Sequence, residues 1–102
     1  MSIDISQFPF AGPYYTVDEL ENSQGIYIIT DTRNGRHFGI DVGESTDIKS
    51  RVMNHERSSC WSRNSSGQLG VMPWYTPGYT NSERRAQERI VRALLEPPCG
   101  EY

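Results

Sequence analysis

The chain is poor in lysine and cysteine, and each shortage narrows what it can be. Two cysteines, Cys60 and Cys99, are too few for the disulfide frameworks of small secreted domains. In a reducing cytosol such a pair is expected as free thiols. No run approaches the roughly 18 apolar residues of a membrane span, and "MSIDISQFPF" lacks the basic start and apolar centre of a secretory leader. The expected location is cytoplasmic, with no membrane partner. No repeat or linker is visible, so residues 1–102 are expected to fold as one domain around one core, with residues 1–24 as an N-terminal extension packed on it.

Nine of the ten basic residues are arginine, the side chain that grips phosphate through two hydrogen bonds at once. The net charge of −3 speaks against indiscriminate nucleic-acid binding, yet the charge is unevenly spread. Residues 1–45 hold seven acids against two arginines, whereas residues 46–102 hold eight bases against six acids. Lys49, Arg57, Arg63, Arg84 and Arg85 in that second part are candidate nucleic-acid contacts; solvated helix faces are the plainer explanation.

"FPFAGPYY" reads as an extended stretch laid over the core, and Thr16 and Glu19 have capping-box spacing for a short turn. "GIYIITDTRNGRHFGIDVGES" reads as a hairpin. A three-residue loop of Arg33, Asn34 and Gly35 would put Ile26, Ile28 and Thr30 opposite Val42, Ile40 and Phe38 on one face, with Tyr27 across from Asp41 on the other. A two-residue Asn34-Gly35 loop would scatter both sets, so the longer loop is expected. After Gly43 comes a helix capped by Ser45, Thr46 or Asp47, with Arg51 and His55 projecting together four residues apart. "CWSRNSSG" reads as a polar loop, and "QLGVMPW" as a third strand cut short by Pro73. Thr80 and Glu83 open a helix whose apolar face is Ala86, Ile90, Val91, Leu94 and Leu95, ended by Pro97 and Pro98. Trp61, Trp74, Tyr75 and Tyr79 surround the third strand, where they are available either for packing or for stacking on bases.

The ordered set "GIY" at 25–27, a second-strand tripeptide ending in Gly43, Arg51 and His55 four apart, and Glu88 nine residues before Pro97 resembles the GIY-YIG nuclease domain over about residues 25–98. The resemblance implies an α/β (α+β) fold, a small three-stranded antiparallel sheet flanked by helices. It also implies hydrolysis of a phosphodiester in DNA or RNA with Mg²⁺ or Mn²⁺. By that resemblance Tyr27 places or deprotonates the attacking water, Arg51 neutralises phosphate charge, His55 assists, and Glu88 is the metal ligand. Those roles suit the chemistry, because charge gathers on non-bridging oxygens and Mg²⁺ needs few protein carboxylates.

The chain departs from the pattern at Asp41, which gives "DVG" in place of the tyrosine tripeptide, and after Pro97, where "PPCGEY" has no asparagine. Asp41 is a candidate second metal ligand or base; equally, it can mark a module that keeps the fold and binds nucleic acid or a protein partner without turnover. A zinc site of His37, His55, Cys60 and Cys99 is the rival metal reading, though no short ligand pair nucleates it.

Overall fold

A computed structural model describes residues 5–100; the first four residues of the expected extension and the last two of the chain lie outside that range. A single 3₁₀ turn, Val17–Glu19, precedes strand β1, Gly25–Arg33, and strand β2, Arg36–Ser45. Two short helices follow, α1, Ile48–Met53, and α2, Ser58–Arg63. Strand β3, Gln68–Tyr75, and helix α3, Asn81–Leu95, complete the chain. The sheet is antiparallel with order β2-β1-β3, the α+β architecture expected from the sequence.

β1 is the central strand and is covered on both sides, which is why Gly25 through Asp31 are all buried. Ile26, Ile28, Val42 and Val91 form the core beneath α3. Tyr27, Ile29, Ile40, Ile48 and Trp61 form a second core on the face carrying α1 and α2. A strand buried on both faces needs no polar alternation. The expectation that Ile26, Ile28, Ile40 and Val42 share one face is therefore corrected at Ile40, which joins Tyr27 and Ile29 on the other.

The hairpin register is corrected as well. Arg33 pairs with Arg36 across a two-residue loop in which Asn34 and Gly35 both take positive φ, 52° and 75°. Ile40 is then an extra residue on β2, a bulge between the pairs Thr30–Gly39 and Ile29–Asp41. Beyond the bulge Ile28 faces Val42 and Tyr27 faces Gly43. A Cβ at position 43 would collide with the hydroxyl end of Tyr27, so the glycine is the space in which the phenol lies.

Pro73 does not shorten β3. The alternate residues of this strand point their backbone groups away from β1: Val71 exchanges both bonds with Tyr14, and the Pro73 carbonyl accepts from Ala11 N–H. The missing proline N–H thus lies on the outward side, where it removes no bond to β1. Residues 11–14 in this way cover one sheet edge, and the chain after α3 covers the other, where Cys99 N–H donates to Ile40 C=O.

Three further expectations change. Residues 58–63 are helical, and Trp61 fixes α2 in place through its burial. Cys60 and Cys99 form a disulfide, with 5.9 Å between Cα atoms, so neither is a free thiol and neither is available to zinc. In α3 the capping box is present, Glu83 N–H donating to Thr80 Oγ1 and Thr80 N–H to Glu83 Oε1. The inward stripe is shifted from the predicted one: Arg84, Val91 and Arg92 are buried, while Ile90 and Leu94 are 47% and 39% exposed. Two arginines on an inward stripe need carboxylates to meet them.

Candidate functional site

Asp41 is the carboxylate that meets one of them. It is fully buried, and its two oxygens accept four hydrogen bonds. Oδ1 takes Val42 N–H at 2.8 Å and Arg92 Nη2 at 3.0 Å. Oδ2 takes Arg57 Nε at 2.8 Å and Trp61 Nε1 at 2.7 Å. Every lone-pair position of the carboxylate is used, which leaves it no means of ligating a metal or accepting a proton from water. The place for Asp41 as second metal ligand or base is therefore taken by two guanidiniums and an indole. What Asp41 does is aim Arg57 and Arg92.

Arg92 was not singled out from the sequence. From the inward stripe of α3 it crosses the edge of β2, donates through Nη2 to the Val42 carbonyl, and through Nη1 to the Cys99 carbonyl at 2.9 Å. Its Nε holds Glu88 Oε2 at 2.8 Å, one helical turn back. One guanidinium thereby ties α3, the β2 edge, the tail and Asp41 together. The only sequence signal for it was the four-residue spacing from Glu88.

Above this network lies a recess of about 240 Å³, and its walls include Tyr27, Gly43, Arg51, Arg57, Glu88 and Arg92. Three of the expected site residues, Tyr27, Arg51 and Glu88, thus converge from β1, α1 and α3, and Arg57 joins them. Arg51 is at the end of α1, paired with Glu56 through two bonds of 2.6 and 2.7 Å. That pair holds the Glu56 carboxyl down to about 2. Glu56 is 61% exposed on its side chain, so an arriving phosphate can take its place at little cost. Burial pushes the Tyr27 phenol above its ordinary range, partly countered by Arg51 beside it. At neutral pH Tyr27 is an un-ionised hydroxyl.

His55 is not on a helix with Arg51. α1 stops at Met53, and His55 sits in the turn before α2, buried, with its ring 4.6 Å from Trp61 and edge-on to Tyr27. Burial, followed by the nearby Arg51 and Arg57 charges, lowers it to about 4, so it is neutral at pH 7. Nδ1 accepts from Arg57 N–H at 3.1 Å, which puts the ring proton on Nε2. That Nε2 is buried with no hydrogen-bond partner among the described residues. His55 lies behind the recess and carries the Arg57 backbone.

The candidate nucleic-acid contacts divide. Arg57 lines the recess, Arg63 and Arg85 are exposed, and Lys49 is half-buried. Arg84 is buried, donating to Glu44 at 2.9 Å, Gln24 at 2.6 Å and Asn81 at 2.7 Å, so it is not a surface contact. Trp61 is committed to Asp41 and Trp74 packs against Phe8, Phe10 and Tyr79, which makes both packing residues.

For a divalent metal, the open donor in the recess is Glu88 Oε1, which has no partner among the described residues. No group of three or more His, Cys, Asp or Glu assembles there among those residues. One carboxylate oxygen, completed by waters and a substrate phosphate, is the kind of set Mg²⁺ accepts. Compared with protein-family models, curated proteins and solved structures, the chain matches none.

Proposed function

We propose that the chain is a GIY-YIG-like domain that binds a phosphodiester of DNA or RNA in the Tyr27 recess and hydrolyses it with Mg²⁺ or Mn²⁺. The observation that carries this reading is the convergence of Tyr27, Arg51, Arg57, Glu88 and Arg92 on one recess of about 240 Å³. Arg57 and Arg92 share Asp41, and Arg51 pairs with the exposed Glu56, so the positive charge that meets a phosphodiester becomes available when Glu56 gives way. Arg51 exchanges Glu56 for a non-bridging oxygen, while Arg57 and Arg92, held by Asp41, keep their places. Tyr27 offers a neutral hydroxyl that orients a water or an ester oxygen, and Gly43 leaves it room to do so. Glu88 holds the metal, which when bound supplies Lewis-acid stabilisation of the developing charge.

Cleavage of single- or double-stranded DNA or RNA in the presence of Mg²⁺ or Mn²⁺ tests the reading. Glu88→Ala is expected to abolish it, at least a hundredfold by the usual worth of such groups. Full activity in that variant removes Glu88 from the chemistry. A second reading, binding without turnover, is favoured by the Glu88–Arg92 ion pair, which occupies one oxygen of the metal ligand. Salt-sensitive binding with no product in either metal supports that one. A cytoplasmic placement predicts that the Cys60–Cys99 bridge is open in cells. Alkylation of thiols at the moment of lysis reads that state.

A further inference from the structure

A second and larger cavity, about 710 Å³, lies on the far side of the Arg84–Glu44 ion pair. Glu44 borders the smaller recess and Arg84 borders the larger cavity, so this pair is the wall between them. Gln24, Asn81 and Tyr79 also line the larger cavity.

The chemistry of this wall is fixed by Arg84. A guanidinium only donates, so the carboxamides of Gln24 and Asn81 must turn their oxygens to it, as they do at 2.6 and 2.7 Å. Each NH₂ group then faces away from Arg84, and neither has a partner among the described residues. The buried arginine has converted two ambivalent amides into two committed donors. Tyr79, half-buried with its ring edge-on to Trp74 at 6.2 Å, adds an aromatic surface beside them.

Resting on the phosphodiester reading of the neighbouring recess, we infer that this cavity is a base subsite: it takes the base of a nucleotide next to the bound phosphate and selects guanine by two amide donors from Gln24 and Asn81. Guanine presents adjacent acceptors, O6 and N7, on one edge. Adenine presents N7 beside an N6 amino group, which meets a donor with a donor. The cavity is roomy enough for a nucleoside, and stacking on Tyr79 supplies affinity that is indifferent to base identity. Fixing the amides from behind by a buried, charge-paired arginine also removes the need to order them on binding.

The test uses short abasic strands of equal length carrying one guanosine, one adenosine, or no base, with binding followed by fluorescence anisotropy. The guanosine strand is expected to bind about tenfold more tightly than the adenosine strand. Gln24→Glu and Asn81→Asp keep an oxygen for Arg84 and so keep the wall folded, but replace each free donor with an acceptor. Both are expected to remove the guanine preference or invert it, while binding of the wholly abasic strand keeps its salt dependence. Equal affinity for guanosine and adenosine strands in the unaltered protein, with the abasic strand bound, overturns the base subsite and leaves the phosphate reading intact. Failure to bind any strand overturns both.

Discussion

The two faces of the sheet are built on opposite terms. Beneath α3, the core of Ile26, Ile28, Val42 and Val91 is hydrocarbon walled by Phe8, Phe10 and Trp74, with the Arg84–Glu44 ion pair at its margin. On the other face, Tyr27 and Ile29 share their layer with Asp41 and His55, and the interior is held by ion pairs as well as by packing. The difference teaches where specificity of position comes from. An apolar core tolerates exchange of one hydrocarbon for another, whereas a buried carboxylate with four donors fixes each donor's direction. The recess lies on the side where directions are fixed.

Breaking each side in turn sharpens the contrast. Asp41→Ala leaves Arg57 and Arg92 without their shared buried acceptor and is expected to cost about 3–5 kcal/mol in urea unfolding. It is also expected to release Arg57 and Arg92 from the recess, so phosphate affinity falls together with stability. Ile28→Ala, on the apolar face, is expected to cost about 3 kcal/mol through a cavity while leaving affinity per folded molecule unchanged. Should Asp41→Ala leave affinity intact once folded protein is counted, the carboxylate serves stability alone.

A smaller effect is set by pH. His55 is held to about 4 in the folded chain against an ordinary value near 6.5, so between these limits the unfolded chain binds the extra proton. Stability therefore falls as pH drops through about 6.5 towards 4, by on the order of 2 kcal/mol at pH 5. His55→Gln is expected to flatten the stability profile between pH 5 and 7. The groups held low, Glu56 by Arg51 and Asp31 by the Ser66 and Gly67 N–H groups despite its burial, act in the same sense but in a lower window. They are ionised through that window and give up their contribution only at lower pH. A profile unchanged by His55→Gln assigns the pH effect elsewhere.

How far the sequence discloses this arrangement depends on the range of the interaction. Local chemistry was legible: the Thr80–Glu83 capping box and the strand-like runs lie within a few residues of what they control. The ordering of Tyr27, Arg51 and Glu88 was legible as a pattern, and those residues do line one recess. The hairpin register was not, because a single bulge at Ile40 restores the facing of Ile28 and Val42 that a two-residue loop seemed to forbid. Nor was the disulfide, since 39 residues separate Cys60 from Cys99 and only the return of the tail along β2 brings them together. Asp41 was visible as an anomaly but not as an anchor, because its partners come from positions 42, 57, 61 and 92. Arg92 looked like one more charge on a helix, and only the shifted inward stripe of α3 buries it.

The central claim is that Arg51 and Arg57 face one phosphate, with Arg92 committed behind them to Asp41 and Glu88. NMR of the arginine side-chain Nε–H signals during titration with a short abasic oligonucleotide tests it directly. Arg51 and Arg57 are expected to shift together and saturably, with Arg92 following and the exposed Arg63 staying in place. Shifts confined to Arg63 and Arg85, with the three recess arginines unmoved at saturation, contradict the claim.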